Sequence, residues 1–372
     1  MTTVADIVAI MNDMAPPELA ESWDSIGLQI GDPRFEVQKL WVALDPLPEV
    51  VSSACNHQVD LLITHHPLIF KPVSSIDFST SLGSILQQAA TNRLSIFCAH
   101  TNLDKAVGGT NDVLARAIGL ESISVLTDAA RKAIWKLVVF VPASHEQAIL
   151  EAILETDAGA IGNYRACSFR TAGKGTFEPL DSAHPYLGSR GQINEVDEVR
   201  IEILVEPRQL ASALAVIRSH HPYETMAYDV YPLIDRESGA GMGRIGTLSA
   251  VMRLDAFAQH LCRCLHLSSL TVAGDPALPI RRVALCTGSG SSLVRRFFQS
   301  DADVFISGDL HYHDARDAEQ RRKGLIDIGH FDSEHIVVGD LSKRLRSVLA
   351  SSGVVVEACT LEKRPFRWIT GG

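Results

Sequence analysis

Along most of the chain, apolar runs of strand length alternate with stretches whose apolar residues recur at helical spacing. Residues 39–44, 59–64 and 94–99 are short apolar runs bounded by polar or turn residues, and they read as buried strands. Residues 48–57, 82–91 and 109–118 space their apolar positions as helices, and 4–14 does so ahead of the Pro16-Pro17 stop. This alternation predicts an α/β fold with a largely parallel sheet covered on both faces. From Lys132 the order changes. Strands at 135–142, 164–171, 199–205 and 228–232, with helices at 145–156 and 209–219, give β-α-β-β-α-β, the split arrangement of ferredoxin-like domains. The Gly-rich run 236–243 then reads as a linker returning to the first pattern. Beyond it come a helix at 254–265, a strand at 281–286, a helix reaching 298, a helix at 341–349 and a closing strand at 354–358. The domain expectation is therefore an α/β domain of 1–131 and 236–372 in two similar lobes, with 132–235 inserted as a ferredoxin-like domain.

Four of the apolar runs deliver imidazole and carboxylate groups at their C-terminal ends. Leu61-Leu62-Ile63-Thr64 leads into His65-His66-Pro67, and Ile96-Phe97-Cys98-Ala99 into His100 and Asp104. The run 303–306 leads into Asp309, His311 and His313, and 325–328 into His330, Asp332, Glu334 and His335. Open α/β sheets carry their functional residues at that end of the strands. Adjacent residues on a continuing strand face opposite ways. With Pro67 ending regular pairing, both His65 and His66 can turn towards one pocket. Imidazole and carboxylate donors without cysteine suit zinc, iron or manganese. Their number exceeds one tetrahedral site and points to two ions sharing a ligand. Glu334, four residues after His330 and on the same face if the backbone there is helical, is the candidate bridge. Two adjacent ions favour hydrolysis as the reaction class.

Composition narrows the field. The chain has 372 residues, 46% hydrophobic and 21% charged, with a formal net charge of −10. That charge opposes non-specific binding to nucleic acid or anionic membranes. No apolar stretch approaches the length of a membrane span, and the N-terminus lacks the basic segment of a signal peptide, so the cytoplasm is expected. Seven cysteines do not form a disulfide framework, and Cys98 reads as a small buried hydrophobe. The Thr287-Gly288-Ser289-Gly290 turn is a candidate anion cradle, but it lacks the lysine of a nucleotide-binding P-loop.

The motifs Thr64-His65-His66-Pro67-Leu68-Ile69-Phe70, His100-Thr101-Asn102-Leu103-Asp104 with Gly108-Gly109-x-Asn111-Asp112, Ser307-Gly308-Asp309, and Gly329-His330 with Glu334 carry a resemblance. The chain resembles the GTP cyclohydrolase 1 type 2 homologues, a family of dinuclear-metal-centre proteins, over nearly its whole length. The resemblance implies that His65, His66, Asp104, His330 and Glu334 hold two divalent ions in a cleft between two α/β lobes. It also implies a homo-oligomer, a toroidal hexamer whose sites face an internal cavity. Longer members carry an insertion resembling PII and CutA proteins. Gly159-Ala160-Ile161-Gly162-Asn163-Tyr164, Cys167-Ser168-Phe169, Gly175-Thr176-Phe177 and His221-Pro222-Tyr223-Glu224 match that insertion. Pro222 and Tyr223 between His221 and Glu224 suit a structural turn at least as well as a further metal site.

Two functions follow. One is a metal-dependent hydrolase of a nucleotide or other phosphate-containing metabolite, with Glu334 as bridge and His100 as proton shuttle or orienting group for Asp104 or water. The other is a non-catalytic metal-binding regulator or scaffold in which the insertion senses a ligand.

Overall fold

The computed structural model describes residues 1–127, 134–156, 158–161, 164–233 and 239–366. The chain divides into two packed units, Met1–Ala130 with Gly239–Gly372, and Arg131–Ser238. The boundaries expected at 131/132 and 235/236, and residues 236–238 of the expected linker, lie outside the described residues.

The discontinuous unit contains two sheets. In the five-stranded sheet the order is Gly27–Ile30, Ser95–Cys98, Leu61–Thr64, Lys39–Ala43, Val355–Ala358. The last four run parallel, and Gly27–Ile30 lies antiparallel at the edge. Leu61 and Ile63 enter one core with Ile7 and Met11, while Leu62 enters the other with Val50 and Ile85. A strand buried on both faces needs a continuous apolar run rather than alternation, which is how 61–64 reads. The six-stranded sheet runs Thr271–Ala273, Gly324–Asp327, Val304–Gly308, Pro279–Ser289, Arg244–Arg253, Glu121–Val125. Its 324–327, 304–308 and 279–289 strands are parallel and the others antiparallel. Each sheet is completed from the other half of the chain: 121–125 joins the second sheet, and 355–358 joins the first.

The helix His330–Val348 links them. Val337, Val338, Leu341 and Leu345 fill the first core, and Ile336 packs against both. The sequence predicted this helix only from 341, because its first turns carry His330, Asp332, Glu334 and His335, whose positions follow the site rather than an apolar stripe. Other elements escaped prediction, among them the short Thr101–Lys105 helix and Thr271–Ala273 strand. Glu121–Val125 is largely exposed, Tyr312–Gln320 buries only Ala318, and Arg244–Arg253 begins directly after the segment read as a linker. Arg244 itself is 2% exposed. Its guanidinium donates to both Asp112 oxygens and to the carbonyls of Ala106, Gly241 and Gly243, so every N–H has an acceptor. This ties the second sheet to the segment that follows Asp104. Among the described residues no helix is long and apolar enough to cross a membrane.

The continuous unit is a four-stranded antiparallel sheet ordered Ser168–Phe177, Asn194–Val205, Ile134–Pro142, Tyr228–Leu233. Helices Glu146–Leu154 and Pro207–His220 supply Ile149, Ile153 and Ile217 to a core with Leu137, Val139 and Ile201. The third strand in sequence lies between the first and second, the split β-α-β order. The second strand begins at 168, not 164, and runs on through Gly173 and Gly175.

On either side of 131–238, Leu126 and Thr127 donate backbone hydrogen bonds to Gly243 and Met242, at 3.3 Å each. The flanking strands thus already form a hairpin that a short turn can close. Replacing residues 129–238 with a short Asn/Gly turn is expected to leave a folded chain with one cooperative melt by circular dichroism. An insoluble or non-cooperative product would show that the discontinuous unit depends on 131–238 for folding.

Candidate metal centre

Strand ends bring the site together. The Leu61–Thr64 strand stops at Thr64, and the next two residues donate their N–H groups to Ala43 (3.3 Å), the last residue of the neighbouring strand, and to Leu44 (2.8 Å) just beyond it. Both rings face the same region, with centroids 5.1 Å apart. His100 follows the Ser95–Cys98 strand, and Asp104 lies on the short helix Thr101–Lys105. His330 and Glu334 occupy the first turns of the 330–348 helix, opened by Gly329 at φ +88°. Asp327 fixes that entry by accepting the N–H groups of Gly329 (2.8 Å) and Leu310 (2.9 Å).

Among the described residues, three side-chain groups converge within metal-ligand reach: His65, His66 and His100; His66, His330 and Glu334; and His65, Asp104 and Glu334. Within each group the donor atoms lie within 4.8 Å of one another. Glu334 Oε2 is 3.1 Å from Nε2 of both His66 and His330. Its Oε1 is 3.6 Å from His65 Nε2, which is also 3.6 Å from Asp104 Oδ1. The carboxylate therefore turns one oxygen to each side.

The rings are held from outside. Nδ1–H of His65 donates to Ala99 O (3.0 Å), of His66 to Asp45 (2.7 Å), of His100 to Asp24 (2.8 Å) and of His330 to Asp309 (2.7 Å). Each Nε2 is left facing inward, the tautomer and orientation that metal-binding histidines take from such partners. Asp104 Oδ1 accepts from Thr110 Oγ1 (2.5 Å), so Thr110 rather than His100 orients this carboxylate. His65 Nε2 and Glu334 Oε2 are buried with no hydrogen-bond partner. Buried polar atoms rarely go unsatisfied, and unpartnered lone pairs facing inward, here one on each side of the carboxylate, are the usual condition of a metal site. The residues fit a divalent cation.

The surrounding sequence supports this geometry. Gly288 (φ +65°) lies against Glu334, and a Cβ there would sit 2.1 Å from Oε1. The candidate anion loop forms the back wall of the site as a structural turn: the N–H of Thr287 donates to Asn111 and that of Gly288 to Ser333. Thr64 and Asn102 act as local scaffold, donating to the carbonyls of His66 and Ala15. Cys98 stays buried in its strand, its Sγ donating to His65 O. His311 and His313 are exposed and stand outside the convergent groups. Asp24 and Thr110 escaped the sequence reading. Asp45 had a visible signal, an acidic residue at a strand end beside the one carrying His65. Glu362 was also missed. Its buried carboxylate accepts N–H from Leu44 (2.9 Å) and Asp45 (2.6 Å), which fixes the residue that holds His66.

Charge and burial oppose each other here. Burial pulls His65 down, but the Asp104 and Glu334 carboxylates outweigh it and raise its pKa. His66 is likewise desolvated, yet Asp45 and Glu334 lift it to about 10. Glu334 lifts His330 to about 9. Burial and the neighbouring His65 lower His100. Burial opposes ionisation of Glu334, but the surrounding imidazoles hold its pKa well below the usual range. Asp104 is raised, by burial and then by Glu334.

The model of the Duf34/NIF3 (NGG1p interacting factor 3) family matches residues 2–365, and the chain belongs to that family. It is 35% identical over 365 residues to the GTP cyclohydrolase 1 type 2 homolog of Halalkalibacterium halodurans, covering 98% of each. It is 37% identical over 367 residues to that of Mycobacterium tuberculosis, covering 98% of this chain and 96% of the relative. Among solved structures it is similar to a Bacillus cereus protein related to NIF3, at TM-score 0.87 and 34% identity over 99% of both chains.

Three tests follow from the geometry and the charges. Without metal, His66 and His330 carry protons at pH 7, because their pKa values of about 10 and 9 lie above the unfolded reference of about 6.5. Their contribution to stability is full below that reference and is lost as pH rises through those values. Metal-free protein should therefore melt at lower temperature as pH rises from 7 to about 10. Metal uptake at pH 7 should release protons, measured by calorimetry in buffers of different ionisation enthalpy; buffer-independent heats would contradict this. Glu362→Gln should weaken metal binding by about tenfold or more, the usual cost of losing an outer partner, with melting of the metal-free protein little changed. Wild-type affinity would remove Glu362 from the supporting set.

Proposed function

We propose that this chain holds a dinuclear divalent-metal centre and is a metal-dependent hydrolase of a nucleotide or other phosphate-containing metabolite. The supporting observation is Glu334, whose two oxygens face different donor groups, His66 with His330 on one side and His65 with Asp104 on the other. Zinc, iron and manganese all suit these donors. Two adjacent ions would supply Lewis-acid polarisation of a phosphoryl or carbonyl group and acidify water.

The chain's own residues supply the rest. His65, Asp104 and Glu334 form a closed side, with side chains 2%, 10% and 4% exposed. His66, His100 and His330 stand at 22%, 17% and 38% and leave the other side open to substrate. His100, its Nδ1–H committed to Asp24 and its pKa lowered, is a neutral base at pH 7 with Nε2 free to take a proton. Beside His330 and Asp309 a cavity of about 420 Å³, bordered by Phe331 and Arg364, has room for a small metabolite. GTP is the first substrate to try, because the relatives are named as homologs of a GTP cyclohydrolase. In this reading the chain works in the cytoplasm as a toroidal homohexamer, and 131–238 is a PII/CutA-like domain.

Metal analysis of protein purified with metal in excess tests the centre: about two equivalents per chain are expected, with at least one lost in Glu334→Ala. Unchanged metal in that variant would sink the bridging assignment. Metal-dependent hydrolysis of GTP or a phosphate ester by the loaded protein would support the enzyme. A fully loaded protein that turns over none of them would favour a metal-binding regulator or scaffold.

A further inference from the structure

The His221-Pro222-Tyr223-Glu224 motif does not hold a metal. His221 is 9% exposed and both ring nitrogens are engaged: Nε2–H donates to Phe140 O (3.0 Å), and Nδ1 accepts from Tyr223 N (3.1 Å). The histidine instead fixes the backbone of Tyr223, and Tyr223 and Glu224 border a cavity of about 330 Å³ wholly within the 131–238 unit. That volume lies at the lower end of the small-molecule range.

The cavity is built from paired features. Tyr223 Oη donates to Glu198 Oε1 (3.0 Å), and Glu224 Oε2 accepts the backbone N–H of His184 (2.8 Å). Gly175 makes room for the first of these carboxylates, since a Cβ there would lie 2.3 Å from Glu198 Oε2. The rings of Phe177 and Tyr186 each stand 6.4 Å from that of Tyr223, and Tyr186 leaves 49% of its surface open. No lysine or arginine borders the cavity, and among the described residues neither carboxylate has an ion-pair partner. Nor does any metal-binding group converge there among those residues.

We propose that this cavity binds a small organic ammonium ion, its charged head near Glu198 and Glu224 and its apolar body against the Phe177, Tyr186 and Tyr223 rings. Aromatic faces and carboxylates both attract a cation, while the same carboxylates repel phosphates and carboxylic acids. The rings favour an organic cation over a hydrated metal ion, which gains nothing from apolar contact.

The test is titration calorimetry on the full chain with phenethylammonium chloride, alongside sodium phenylacetate as an anion of matched shape. The amine should bind saturably at one site per chain and the acid should not bind. Glu198→Gln and Tyr186→Ala should each weaken the amine by about tenfold or more, with melting temperatures unchanged. Tyr186→Ala alters a half-exposed ring, so it keeps the test open should Glu198→Gln fold poorly. Three results would overturn the proposal: no saturable binding up to about 10 mM, equal affinity for the acid, or wild-type affinity in whichever variants fold.

Discussion

A carboxylate buried without a compensating partner is too costly to persist, and Glu334, 3% exposed, is the residue around which this constraint acts. It stays ionised because imidazoles from one strand end, His65 and His66, and from its own helix, His330, surround it. Those rings hold their orientation only because Asp45, Asp309 and Ala99 take their outer N–H groups. The supports are fixed in turn, Asp45 by Glu362 and the 309–310 and 329 turns by Asp327. The result is a set of donors already in place before any ion arrives. Little ordering is then left for binding itself to oppose.

Such preorganisation requires backbone as well as side chains. Gly288 lets a strand end pass against Glu334, and the Arg244–Asp112 pair fixes the segment beyond Asp104 against the second sheet. These features sit outside the donor set and contribute only shape and stiffness. They explain why a site built from so few donors recruits residues from position 24 to position 362.

Much of this was legible in the sequence, for identifiable reasons. The strand at 61–64 reads clearly because burial on both faces demands an unbroken apolar run, and Pro67 marks where its two histidines leave the sheet. Glu334 reads as a neighbour of His330 because helical spacing puts the two on one face. The outer supports were less visible. Asp24 and Glu362 lie tens to hundreds of residues from the groups they serve, and although Thr110 follows Asp104 closely in sequence, nothing local to an aspartate or threonine says which ring or carboxylate it will meet. Strand 121–125 and helix 312–320 escaped for the opposite reason, since elements with little buried surface leave no periodic trace. The glycines at 173 and 175 read as loop yet lie inside a strand, where the second makes room for Glu198.

The exchange of strands between the two sheets has a consequence for synthesis. The ribosome delivers 39–43 about three hundred residues before the strand that pairs with its open side, 355–358. The helix bearing His330 and Glu334 leaves the tunnel shortly before it. Until then the nascent first sheet presents an unpaired edge and an incomplete donor set. A truncated product ending anywhere before 330 therefore has neither a closed sheet nor the full set of converging donors, which makes it a natural client for chaperones and proteases.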